Sequence, residues 1–217
     1  DGLVERTKHR PLPNSEVSKK EAYLLAASLS LVAFGLVCLL NTLTIKLSVA
    51  ALFLAISYPL TKRFFAMPQA YLGVAFGFGI PMAFAAINDY VPTVAWLLML
   101  ANVFWAVAYD TAYAMVDRED DLKIGIKSSA ITFGRFDVAA VMTCYLLTLL
   151  LLGFAGYWLR VSVAYYLGLG VAAGVAVYHY TLISKRERAG CFKAFLGNNW
   201  FGFSIFIGLM AHYYLDF

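Results

Sequence analysis

Long apolar runs alternate along the chain with a few short charged clusters, and the length of the runs decides what they are. Seven stretches, residues 22–40, 43–60, 70–87, 94–116, 138–159, 161–183 and 200–215, hold 16 to 23 mostly apolar residues each. At about 1.5 Å rise per residue, such stretches cross about 30 Å of hydrocarbon as helices. Backbone in lipid must satisfy its own hydrogen bonds, and these runs are too long and too continuously apolar for barrel strands of about ten residues. The pattern predicts an all-α, polytopic transmembrane helical bundle. Polar insertions of roughly twenty residues precede residue 22 and cover 117–135 and 184–199.

Composition agrees: 62% of the residues are hydrophobic and 14% charged, against roughly half and a quarter in soluble domains, which argues against a water-soluble fold and excludes disorder. Charge then sets an expected orientation. Fifteen of the seventeen bases fall before residue 22 or in the loops after the second, fourth and sixth spans; only Lys46 and Arg160 lie on the other side. By the positive-inside rule the charged loops are cytoplasmic and Phe217 is periplasmic. A net charge of +4 is explained by this topology and calls for no nucleic acid, the lipid bilayer being the expected partner. Cys38, Cys144 and Cys191 form no CxxC pair and read as reduced structural residues. The chain starts at Asp1 with no signal-peptide pattern, and reads as a single transmembrane domain over 1–217, truncated at its N-terminus.

Acids carry the chemistry, because five of the thirteen crowd between Asp110 and Asp121 at the end of the fourth span. If that span continues as a helix, a step of about 100° per residue brings Asp110, Asp117 and Asp121 within about 40° of one another, while Glu119 and Asp120 point elsewhere. Two carboxylates one turn apart repel unless a cation lies between them, and a DxxxD face suits Mg²⁺ bridging to a diphosphate. Lys123 and Lys127 stand near enough in sequence to neutralise the rest of such an anion. A solvated helix end is the bland reading of Asp117–Asp121. Against it, Asp110 lies about 10 Å deeper, inside an apolar span where an ionisable group is a functional candidate by default. Asn88-Asp89-Tyr90 reads as a turn, and His9, His179 and His212 show no ligand spacing.

The run Tyr109-Asp110 through Asp117-Arg118-Glu119-Asp120-Asp121, with Gly125-Ile126-Lys127-Ser128 and Gly134, resembles the second aspartate-rich motif of the UbiA-type membrane prenyltransferases. Arg6-Thr7, Arg10-Pro11-Leu12-Pro13, Tyr58-Pro59 with Lys62-Arg63, the stretch Pro81-Met82-Ala83-Phe84-Ala85-Ala86, and Cys191-Phe192-Lys193-Ala194-Phe195 are similar to the branch of that family that uses 4-hydroxybenzoate. The resemblance implies a nine-helix fold of which this chain carries seven spans, in the bacterial inner membrane. It implies Mg²⁺-dependent transfer of a polyprenyl group from polyprenyl diphosphate to the carbon ortho to the hydroxyl of 4-hydroxybenzoate, in ubiquinone biosynthesis. Asp1, as the end of a first aspartate motif, would hold metal with Asp117 and Asp121. Lys62, Lys127, Lys123, Arg6 and Arg10 would assist with the donor, Asp110 would act in catalysis with Asp117 and Asp121, Tyr58 would lie near the allylic cation, and Arg63 would bind the aromatic carboxylate. Homogentisate, a naphthoate or haem as acceptor, and a transporter coupled through Asp110, are the alternative readings.

Overall fold

The computed structural model describes residues 9–215. Asp1 and Arg6 lie outside the described residues. The elements, in chain order, are α1 (Lys19–Val37), α2 (Thr42–Thr61), α3 (Pro68–Gly77), α4 (Gly79–Asn88), α5 (Thr93–Ile124), α6 (Ser129–Phe133), a short 3₁₀ turn (Gly134–Phe136), α7 (Asp137–Leu159), α8 (Val163–Ile183) and α9 (Arg188–Leu215). Among the described residues all regular structure is helical. Seven spans are long and apolar enough to cross a membrane, α3 with α4 making one and α6 with α7 another. The expected count and order are therefore observed.

Boundaries follow local chemistry. Ser18 caps α1, its hydroxyl accepting from the Glu21 N–H while the Glu21 carboxylate accepts from Ser18, a reciprocal capping box. Asn41 caps α2 and also donates to the Ala85 carbonyl at 2.6 Å, tying α2 to the end of α4. The third span breaks at Phe78. Pro81 has no N–H to offer Gly77, so the ladder is interrupted there and α3 and α4 meet at a kink. Asp89, with φ 56°, closes α4 in the left-handed region, matching the turn expected at Asn88-Asp89-Tyr90.

Two elements outrun the apolar windows that predicted them. Helix α5 continues eight residues beyond Val116, as the spacing of its acids required, and stops at Gly125, whose φ of 71° is open to a residue without Cβ; its N–H and that of Ile126 both close on the Asp121 carbonyl. Helix α9 begins at Arg188 rather than at residue 200, and no twenty-residue polar insertion separates it from α8. Charges at Arg188 and Lys193 mask the apolar character of this turn, yet Cys191, Ala194 and Phe201 are buried at helical spacing.

The bundle is organised around α5, which packs on α3, α4, α6, α7 and α9, while α1 buries none of its residues and packs chiefly on α2. Large side chains such as Leu31, Phe53, Ile87 and Leu167 face outward, whereas the α5 interfaces use Ala101, Ala106, Ala108, Ala112 and Ala114, the small-residue packing expected between helices in lipid. Midway along α8 the backbone closely approaches α9: a Cβ added at Gly168 would stand 2.6 Å from the Ser204 carbonyl oxygen and 2.9 Å from the Gly208 Cα. Backbone cannot yield there as a flexible side chain would. Gly168→Leu is expected to push the helices apart and to cost about 1–3 kcal/mol. Gly170→Leu, where nothing lies within 4 Å, should stay within about 0.5 kcal/mol of the parent, thermal unfolding in detergent being the comparison that reads the difference.

Candidate active site

The step of about 100° per residue along α5 sorts the acids as expected. Asp110 and Asp117 are buried and Asp121 is half-buried on one side of the helix. Glu119 is exposed and meets the Arg188 guanidinium at 2.9 Å, and Asp120 lies 3.6 Å from Lys123 Nζ and 3.7 Å from Arg188. Arg188 at the start of α9 thus takes up the two acids outside the shared face.

A clasp between two loops brings cations to that face. After Pro59 the last turn of α2 ends at Thr61, and the following loop lies against the loop after α5. The Lys127 N–H donates to the Lys62 carbonyl at 3.0 Å, Lys127 Nζ to the Phe64 carbonyl at 2.9 Å, and Thr132 Oγ1 to the Ala66 carbonyl at 2.6 Å. Beneath them the Ser129 N–H donates to buried Gln69 Oε1 at 2.9 Å, and the Ser129 and Thr111 hydroxyls lie 2.7 Å apart. Thr111 adjoins Asp110, so the clasp registers α2 against the acid face. Lys62 and Asp117 are the charges close enough to act on Asp110, and Tyr58 stands within electrostatic range of Asp110, Tyr109 and Tyr113.

The structure thus gathers Tyr58, Lys62, Asp110, Asp117 and Asp121. Arg63 is exposed beside them, its guanidinium without a partner among the described residues. Lys127 is on the rim, where its ammonium fastens the loop, and Lys123 is 74% exposed on the Asp120 side. Arg10 is exposed in the turn before α1.

Sequence reasoning missed two features. Asp137 is entirely buried at the start of α7, held by Arg118 at 3.1 Å and Arg186 at 2.7 Å, while Arg186 Nη2 also donates to the Arg135 carbonyl at 2.8 Å. These bases read as topology markers; a lone acid at the mouth of an apolar run was the available signal, since a buried carboxylate needs cationic partners. Hydrogen bonding to Asp137 raises the Arg186 guanidinium above its ordinary range, which keeps the clamp charged. The second feature is an aromatic column. Trp105, Tyr109 and Tyr113, spaced by four, run along α5, with Tyr109 and Tyr113 against Phe195 of α9 at 6.3 and 4.5 Å between ring centroids.

Chemically, this is a charged mouth opening on an aromatic interior. Among the described residues no cluster of three or more His, Cys, Asp and Glu side chains is close enough to hold a metal by itself. Two carboxylates on one face, Asp117 and Asp121, nevertheless fit Mg²⁺, which takes one or two carboxylate oxygens and fills its other positions with water or phosphate oxygens.

The comparisons point the same way. A 4-hydroxybenzoate octaprenyltransferase of Azoarcus sp. (strain BH72) is 64% identical over 213 residues, 98% of this chain and 74% of that protein. A protein of the same name from Dechloromonas aromatica (strain RCB) is 65% identical over 214 residues, 98% of this chain and 72% of that protein. Among solved structures, the apo structure of a UbiA homolog from Aeropyrum pernix K1 superposes with a TM-score of 0.81 at 25% identity, over 95% of this chain and 79% of that one. With the profile of the UbiA prenyltransferase family matching residues 1–207, and with its acids, cations and helices arranged as described, the chain belongs to the UbiA prenyltransferase family.

Proposed function

We propose that this protein transfers a polyprenyl group from polyprenyl diphosphate to the ring carbon ortho to the hydroxyl of 4-hydroxybenzoate, as a step of ubiquinone biosynthesis. The observation that carries the reading is the meeting of the Asp110/Asp117/Asp121 face with Lys62 and Tyr58 at the charged end of an apolar bundle. The names of the two relatives support the same donor and acceptor. A polyprenyl tail dissolves in lipid and a diphosphate in water, so the reacting carbon must sit where the two meet. The clustering of bases supports a cytoplasmic charged end, a periplasmic C-terminus and residence in the bacterial inner membrane.

In this reading Asp117 and Asp121 would hold Mg²⁺ together with Asp1, which lies outside the described residues, and the ion would supply Lewis-acid charge for the departing diphosphate. Lys62 adds a fixed positive charge on the same side, and Arg6, Arg10, Lys123 and Lys127 keep the approach to the mouth cationic. The allylic C–O bond breaks with its electron pair going to the diphosphate. Tyr58, Tyr109 and Tyr113 are the aromatic side chains next to Asp110, and such rings stabilise a nearby allylic cation and keep water away. The ring carbon of the acceptor forms the new C–C bond, and Asp110 takes the proton the ring loses as aromaticity returns. Arg63 pairs with the acceptor carboxylate, a geometry that suits a planar guanidinium. A coupling acid of a transporter is expected with a counterpart in a matching half-bundle, whereas Asp110 shares its one helix with Asp117 and Asp121.

Two outcomes follow for the full-length protein in membranes. Asp117→Ala or Asp121→Ala is expected to lower prenyl transfer more than tenfold at equal protein abundance, on the scale set by losing even the residues that support metal ligands. Glu119→Ala and Asp120→Ala, which release only Arg188 and Lys123, should be milder, and equal losses at all four positions would contradict the assignment by helix face. Arg63→Ala is expected to raise the KM for 4-hydroxybenzoate roughly tenfold to a hundredfold, the worth of a charge-assisted pair, with little change in the KM for the prenyl diphosphate. Titration of initial rates against each substrate in turn separates the two, and unchanged KM values would remove Arg63 from the acceptor site.

A further inference from the structure

Asp137 stands apart from the Asp110/Asp117/Asp121 face, yet both of its carboxylate oxygens are engaged. Its Oδ1 accepts from the Val138 N–H at 2.7 Å and from Arg186 Nε and Nη2 at 2.9 and 2.7 Å. Its Oδ2 accepts from Arg118 Nη1 at 3.1 Å and from Arg186 Nε at 3.1 Å. The carboxylate is fully buried, whereas the Arg118 and Arg186 side chains are 32% and 42% exposed. A clamp of this kind fastens α5, α7 and the turn after α8 to one another, but a buried ion pair is often no more stabilising than apolar side chains of the same volume. Fastening helices is therefore a weak reason for placing a charge there.

The two arginines differ in what they would do without Asp137. Arg186 Nη2 also donates to the Arg135 carbonyl at 2.8 Å, so part of its guanidinium stays engaged. Arg118 has Asp137 as its partner among the described residues, and it follows Asp117 directly in α5, three residues before Asp121. A step of about 100° per residue puts Arg118 about 60° from Asp121 around the helix, and side chains three or four residues apart are neighbours on a helix surface. Its other neighbours at that spacing, Ala114, Met115 and Leu122, carry no charge. Along α5, Asp121 is thus the carboxylate that competes with Asp137 for Arg118. A guanidinium paired there would occupy oxygens that a dication needs and would set a fixed positive charge beside it.

We infer that Asp137 is a positioning residue for the metal face: by engaging Arg118 it keeps that guanidinium from pairing with Asp121 and so preserves the affinity for Mg²⁺. The inference rests on the reading of Asp117 and Asp121 as Mg²⁺ ligands given above. Its test measures metal affinity without turnover. Tritiated geranyl thiolodiphosphate, a donor analogue whose C–S bond resists ionisation, is bound to the full-length protein in detergent while Mg²⁺ is titrated. The quantity read is the half-saturating Mg²⁺ concentration, which reports the affinity of the folded molecules and is independent of how many there are.

Asp137→Asn should raise that concentration roughly tenfold, the effect of one added positive charge about 5–6 Å from a dication at the dielectric of water. Two double variants separate this effect from loss of the clamp as a fastening. Asp137→Asn with Arg186→Met releases Arg118, and Asp137→Asn with Arg118→Met releases Arg186. Both lose the same carboxylate and one guanidinium, so both keep the net charge and open the same junction. The first should show the raised value, and the second should lie within about threefold of the parent, its remaining charge being held away from Asp121 by the Arg135 carbonyl. Because they are balanced in charge, the double variants decide the matter if Asp137→Asn alone fails to accumulate. An unchanged value in Asp137→Asn, or equal values in the two double variants, overturns the inference and leaves Asp137 as a fastening between helices. Binding of the analogue to the unaltered full-length protein with no dependence on Mg²⁺ would defeat the metal reading itself, and the inference with it.

Discussion

A carboxylate near lipid persists only where cations or polar hydrogens meet it, and the charged end of this bundle is arranged to answer that demand separately for each acid. Arg188 takes Glu119 and Asp120; Arg118 and Arg186 take Asp137; Lys62 faces Asp110. The partition matters because the two arginine systems lie off the shared face, Arg186 and Arg188 coming from the turn after α8 and the start of α9. Asp117 and Asp121 are thereby kept off both clamps, on the face they share with Asp110.

That partition depends in turn on the clasp between the loops after α2 and α5. Its bonds are mostly to backbone carbonyls, at Lys62, Phe64 and Ala66, so it specifies where the chain runs more than which side chains it bears. Gln69 and Ser129 extend it inward to Thr111, next to Asp110. A loop that would otherwise be free to wander is held to α5 at the level of the acids. The cationic pair Lys62-Arg63 is thus delivered to the site by hydrogen bonds that involve neither charge.

Much of this was legible from residues alone. Apolar run length determined the seven spans, and a simple helical step separated Asp110, Asp117 and Asp121 from Glu119 and Asp120, because both properties are local and periodic. Reading failed where an element's character comes from its partners. The first turns of α9 look polar until Arg188 is seen against Glu119 and Phe195 against Tyr113. Asp137 looks like a loop acid until two guanidinium groups, one from α5 and one from the turn after α8, close on it. The Lys127 ammonium also donates to the Phe64 carbonyl, a contact that no spacing encodes.

The length of α5 has a consequence for how the protein can vary. One uninterrupted helix carries the Trp105 indole, the tyrosines and the carboxylates, so their mutual phase is set by residue count alone. Inserting or deleting a single residue between Trp105 and Asp110 would rotate one group against the other by about 100° and shift it about 1.5 Å, breaking the line of rings away from the acids even if every side chain were retained. Substitution is therefore the available route to new donors or acceptors along α5, whereas changes of length are left to turns between helices that carry none of these groups.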